Sequence, residues 1–106
     1  LAPGITLHPV GGHTPGMQFV RVHTQRGWVV VASDVTHYYE NFETYRPYTA
    51  AWHVGDMLEA YDKHRAAAPS IRHIVPGHDP LVLARYPTVS SSLDGIACRL
   101  DVEPSY

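Results

Sequence analysis

Three residues stand where chemistry could gather. His13 lies in "GGHTPG", Asp34 follows the apolar run "WVVVAS", and His78 lies in "VPGHDP". Imidazole nitrogen and carboxylate oxygen are ligands that a borderline-soft ion such as Zn²⁺ accepts, and ligands carried on separate strand ends need rigid turns to hold them. The turn around His13 has that character. Pro15 fixes its own φ and biases Thr14 toward extended backbone, while Gly11, Gly12 and Gly16 permit angles that other residues avoid. Taken singly, each residue has an ordinary alternative: a histidine after a glycine is a turn residue, and an Asp closing a strand bonds the amides of the next turn. Their common placement at strand ends is what points toward metal ligation.

The elements that must position them follow from apolar spacing. Ile5 to Pro9 reads as a short strand, and "MQFVRVHT" as a second, with Phe19, Arg21 and His23 alternating against Val20 and Val22. Gln25-Arg26-Gly27 supplies a turn. "WVVVAS" is a continuous apolar run with β-branched residues, the mark of a strand covered on both faces. From Val35 to Ala50 no period persists, which predicts a long irregular connection of the kind that often carries function. Met57, Leu58 and Tyr61 recur at helical spacing, predicting a helix from about Asp56 to Ala67 with Asp56 at its cap and Pro69 beyond its end. "IRHIV" then reads as a strand, "PGHDP" as a sharp turn, and "LVLARYP" as an apolar segment of either type. The order β-β-β-α-β implies an α/β layer.

Composition excludes several classes. With 106 residues, 44% hydrophobic and 17% charged, the chain has the make-up of one globular domain. Its charge of −2, mixed in sign along the chain, leaves no basic stripe for nucleic acid. No apolar run approaches a membrane span. The opening "LAPGITLHPV" has neither a charged leader nor an initiating Met, so it reads as a piece of a longer or processed chain. Cys98 stands alone, which forbids an internal disulfide and favours a reduced, cytoplasmic setting. Eight histidines are the compositional oddity.

"GGHTPGMQ", "VVVASDVTHYYENFE" and "HIVPGHDP", in this order and covering nearly the whole chain, resemble the carboxyl-terminal half of the metallo-β-lactamase fold hydrolases, in particular the N-acyl homoserine lactonase group. The stretch D-x-x-H-x-Y-E-N-F-E, Asp34 to Glu43, points to that branch rather than to glyoxalase II or the antibiotic-degrading enzymes. The resemblance implies an α/β fold that is one half of an αββα sandwich, a mixed sheet with a helix packed on one face. It implies that His13, Asp34 and His78 are metal ligands, with Asp34 bridging two zinc ions. It implies quorum-quenching hydrolysis: the metal pair lowers the pKa of a shared water toward about 7, and the resulting hydroxide opens a lactone ring to a hydroxy acid. Asp34 and His37 would be the catalytic residues. Related lactonases often carry a Tyr where this chain has His37, and the expected role there is to help hold the substrate carbonyl. Asp79 is expected to orient a ligand or to shape the turn. His8, His23, His53, His64 and His73 are expected to be exposed or hydrogen-bonded at the surface. Tyr45, Tyr48 and Trp52 would either form an acyl pocket or pack on the domain.

The departure from that pattern is large. The H-x-H-x-D-H motif of the amino-terminal half, source of the remaining ligands, occurs nowhere in residues 1–106. The isolated chain is therefore expected to bind zinc weakly and hydrolyse nothing, and its sheet to lack a partner that a missing half or a second copy would supply. The substrate would be a small lactone or ester, with neither nucleic acid nor membrane involved. Two other readings stay open: a thioesterase of the glyoxalase II type, and a non-enzymatic half-domain that associates through its sheet.

Overall fold

A computed structural model describes residues 1–106. Three antiparallel strands, β1 (Ile5–Pro9), β2 (Gln18–Thr24) and β3 (Gly27–Val31), are followed by helices α1 (Tyr39–Thr44) and α2 (Val54–Ala67). The chain then returns to β4 (Ile74–Val75), which lies parallel to β3, and continues into α3 (Leu81–Arg85). The sheet order is β1-β2-β3-β4, a mixed sheet, and the crossover before β4 runs through the helices as a parallel connection requires. The β2–β3 hairpin closes on the pair Thr24 and Gly27, where Gly27 takes φ of +100°.

Cross-strand register sorts the apolar side chains onto two faces. Phe19, Val30 and Ile74 form one core with Met57, Ala60 and Tyr61 of α2 and with Val35, Tyr39 and Phe42 of the connection. Met57, Ala60, Tyr61 and His64 are the buried positions of α2, one stripe of a helix surface. On the opposite face Val29 and Val75 pack with Tyr86. The pairs Ile5–Val22, Leu7–Val20 and Val20–Val31 share that second face, yet these residues are only half-buried and Leu7 is exposed.

Several elements differ from the sequence reading. The connection after Asp34 is irregular only in part: a 3₁₀ turn (Ser33–Val35) precedes α1, whose first turn is fixed by Tyr38 N–H donating to Asn41 Oδ1 at 2.8 Å, while residues 45–50 form neither helix nor strand. The six residues of α1 are too few for a period to show. α2 begins at Val54, and its cap is His53, whose Nδ1 accepts from the Asp56 N–H at 3.0 Å; Asp56 lies in the first turn, where its charge suits the helix dipole. Only Ile74 and Val75 of "IRHIV" are strand, since Ile71–His73 form a 3₁₀ turn. Within "LVLARYP", Leu81–Arg85 form helix α3 and Tyr86 is already extended.

His64 is the clearest correction. Rather than lying at the surface it is fully buried, its ring among Phe19, Phe42 and Tyr61. Its Nδ1–H donates to the Tyr61 carbonyl at 2.7 Å, while Nε2 has no partner. Burial pushes its pKa down to about 4. The other four surface assignments agree with the structure: His8 bonds Thr6, His53 caps α2, His73 bonds Ser70 and the Arg26 carbonyl, and His23 is exposed beside Trp28.

The loops after β3 and β4 are fastened together. Gly77 N–H donates to Thr36 O at 3.0 Å and His78 N–H to His37 O at 2.9 Å. A Cβ at Gly77 would fall 2.5 Å from the Ser33 carbonyl oxygen, so the two loops approach as closely as they do because residue 77 has no side chain.

Two predictions follow from this packing. An unfolded chain protonates His64 below the usual histidine pKa of about 6.5, whereas the folded chain resists protonation until about pH 4. Stability therefore falls as pH drops through that window, by about 3 kcal/mol from this residue. Urea unfolding of His64→Phe should show that increment missing from its pH dependence; an unchanged slope would mean His64 titrates normally. Gly77→Ala should cost about 1–3 kcal/mol in the same measurement through backbone crowding. Gly16→Ala, with nothing within 4 Å of the added carbon, should be close to neutral.

Candidate metal centre

Each of the three loops at this end of the sheet presents a side chain. The loop between β1 and β2 is closed by Val10 N–H donating to Met17 O at 2.8 Å. Gly12, at φ +109°, presses against α2, where an added Cβ would meet Met57 Cα at 2.5 Å. The amino end of α2 is bonded to the same loop, with His53 N–H donating to Gly12 O and Trp52 N–H to His13 O. His13 Nδ1–H then donates to the Ala50 carbonyl at 2.7 Å, which turns its Nε2 toward Asp34 Oδ2 at 3.7 Å. A second hydrogen bond of this type fixes both ring orientation and tautomer for a ligating imidazole.

Asp34 is delivered by the 3₁₀ turn after β3, whose first residue, Ser33, sits in the left-handed region at φ +50°. A non-glycine residue there is strained and persists only when its surroundings hold it. His78 comes from the turn after β4 and places Nε2 2.6 Å from Asp34 Oδ1. His37 lies three residues beyond Asp34 and puts its Nε2 3.5 Å from that same Oδ1. The His37 ring stacks on Tyr48 with centroids 3.5 Å apart and planes 6° apart, and the Tyr48 hydroxyl donates to the Asp34 carbonyl. Asp79 braces the assembly: Oδ2 accepts from Tyr39 N–H at 3.0 Å and Oδ1 from Leu81 N–H at 2.9 Å, linking α1 to the start of α3.

Charge is divided to suit metal binding. The hydrogen bond from His78 holds the Asp34 carboxyl below the usual range; partial burial opposes it, and His13, His78 and His37 add to the lowering. The His37 imidazole is also lowered, first by burial and then by the neighbouring His78, against the pull of Asp34. The set thus offers an ionised carboxylate beside a neutral imidazole, the forms in which both residues ligate.

Three separate loops bring His13 and His78 to different oxygens of Asp34, but His13 lies outside the compact group that Asp34 forms with His78 and His37. The ligating atoms of Asp34, His37 and His78 lie within 4.8 Å of one another, so His37 joins the cluster itself. The roles of Tyr48 and the Ala50 carbonyl are not legible in the sequence; a side chain in an unpatterned connection and a backbone oxygen leave little signal. Tyr45, Tyr48 and Trp52 do not line a common pocket. Tyr45 donates to Asp62 under Arg65, Trp52 is 73% exposed, and Tyr48 alone reaches the cluster.

No family model matches the sequence, and no curated protein matches it. Solved structures do. One is an N-acyl homoserine lactone hydrolase with the product N-hexanoyl-L-homoserine bound at its catalytic metal centre, 28% identical, with a TM-score of 0.67 over 74% of this chain and 32% of that one. Another is a variant of AiiA from B. thuringiensis with N-decanoyl-L-homoserine at its active site, with the same identity, TM-score and coverage. The chain spans about a third of the length of the structures it matches. In sheet topology and in sequence it resembles part of an N-acyl homoserine lactonase, one half of a metallo-β-lactamase-like α/β fold.

Proposed function

We propose that residues 1–106 are the carboxyl-terminal half of a metal-dependent hydrolase that opens a lactone ring, with His13, Asp34 and His78 as ligands to zinc. The observation that carries this reading is the division of Asp34: Oδ2 faces His13 at 3.7 Å while Oδ1 faces His78 at 2.6 Å. A carboxylate whose two oxygens look toward different imidazoles suits a bridge between two ions. The donor set of imidazole and carboxylate fits zinc, and the solved structures that the chain resembles support the lactone class, since one holds a homoserine product at a catalytic metal centre.

Bound metal ions supply a water acidified toward neutrality and a positive charge that polarises the substrate carbonyl. The chain's own residues prepare for this. The bond from His78 keeps Asp34 ionised, Ala50 aims His13, and burial keeps His37 neutral beside the carboxylate. The half-covered face of Ile5, Leu7, Val20, Val22 and Val31 suits a second sheet packing there, the amino-terminal half with its H-x-H-x-D-H ligands or a second copy of this chain. No helix is long and apolar enough to cross a membrane, and Cys98 is unpaired; a cytoplasmic, quorum-quenching role fits this reading.

In the full-length parent, Asp34→Ala should remove bound metal and lactone turnover together. The loss of activity should exceed the roughly 10–100-fold that removal of an outer-sphere partner costs. Metal analysis beside lactone and thioester assays checks this. Unchanged metal content in Asp34→Ala would refute the bridge, and preferential thioester cleavage by the parent would favour the thioesterase reading. The isolated 106-residue chain should cleave neither substrate.

A further inference from the structure

The expected role of His37 at the substrate carbonyl leaves one feature of its geometry without a reason. Its Nε2 is buried and has no hydrogen-bond partner, although a carboxylate oxygen stands 3.5 Å away. A polar atom buried in this way is destabilising unless something satisfies it. The ring cannot easily turn to find water, because it lies flat on Tyr48, which is itself bonded to the Asp34 backbone. His37 is therefore held with one nitrogen 3.5 Å from Asp34 Oδ1, the oxygen already approached by His78.

Distances within this trio suit a single cation. Two ligands each about 2.0–2.1 Å from a tetrahedral zinc stand about 3.4 Å apart. The separation of His37 Nε2 and Asp34 Oδ1 is 3.5 Å, and all three ligating atoms lie within 4.8 Å of one another. The shorter 2.6 Å contact from His78 to Asp34 opens when a cation replaces the shared proton, and the His78 side chain, 54% exposed, has room to swing outward. His13 stands apart from this set, facing the other oxygen of Asp34.

We propose that Asp34 Oδ1, His37 Nε2 and His78 Nε2 form a three-ligand site for one divalent cation of the zinc class, complete within this chain. The inference rests on the metal-centre reading above and refines it: His37 is a ligand, and the position at Asp34 Oδ1 fills independently of the one at Oδ2. That second position has only His13 from this chain and requires ligands from elsewhere. Three protein ligands leave a coordination position open, as in hydrolytic sites. The consequence departs from the sequence expectation of weak binding, since the chain alone takes up one equivalent of metal while lacking a complete catalytic centre.

The test is a titration of the 106-residue chain with Zn²⁺ by calorimetry and with Co²⁺ by visible absorption, whose intensity reports coordination number. The native sequence should bind one equivalent. His37→Phe retains a flat ring on Tyr48 and should weaken that binding by at least about 10-fold and change the Co²⁺ spectrum. His78→Phe should weaken it likewise, and His13→Phe should leave it intact, with circular dichroism verifying that each variant folds. If His37→Phe binds as tightly as the native chain while His78→Phe does not, His37 is no ligand and the hydrolase reading still stands. If the native chain binds no metal, the self-contained site is wrong; if the full-length parent also holds none, the metal-centre reading falls with it.

Discussion

The arrangement at the candidate centre depends on the joining of two loops through backbone hydrogen bonds, Gly77 N–H to Thr36 O and His78 N–H to His37 O. The parallel pairing of β3 with β4 is what makes the junction available. Two parallel neighbours end at the same edge of a sheet, so the residues that follow them emerge side by side although they are far apart in sequence. Asp34 follows the first strand and His78 the second. Once the loops are joined, the backbone delivers His78 beside Asp34, and the two side chains meet at 2.6 Å. Glycine at position 77 is the steric condition, because any larger residue would meet the Ser33 carbonyl.

Helix α2 supplies the third point of support. Its buried stripe packs on the sheet, while its amino end receives the glycine turn that carries His13. Apolar packing thus sets the position of a polar group: Met57 is both a core residue and the wall against which Gly12 fits. The Ala50 carbonyl, just before the helix, then selects which nitrogen of His13 faces inward. A rigid site built on loops needs such outside bracing, since loop backbone cannot support itself with a regular hydrogen-bond ladder.

What the sequence shows of this depends on whether a signal repeats. The strand alternation around Phe19 and Val20, and the β-branched run Val29–Val31, place β2 and β3 closely, and helical spacing recovers most of α2. The turn motifs around His13 and His78 are legible because glycine and proline restrict backbone geometry wherever they occur. By contrast α1 is a single capped turn and a half, and β4 is two residues long, so neither can display a period. His64, as a histidine on a helix, reads as polar in sequence; its burial shows only once Phe19 and Phe42, far away in sequence, close around it. His37 carried a local signal, its three-residue spacing from Asp34 across a tight turn, but its stacking on Tyr48 is a tertiary fact.

His37 and His64 show how burial can have opposite consequences for the same side chain. Both lie in surroundings that disfavour the imidazolium, and in both the lowering comes first from loss of solvent. Around His64 the neighbours are Phe19, Phe42 and Tyr61, so the neutral ring is a packing element with one backbone bond. Around His37 a carboxylate is present, and it pulls toward protonation; burial and the neighbouring His78 outweigh it. An imidazole that remains neutral beside an ionised carboxylate keeps a lone pair available, and the pair together carries one negative charge toward a divalent ion. Hydrophobic exclusion alone would have produced an inert histidine. Adding Asp34 at 3.5 Å gives the same neutral ring a reason to attract a cation.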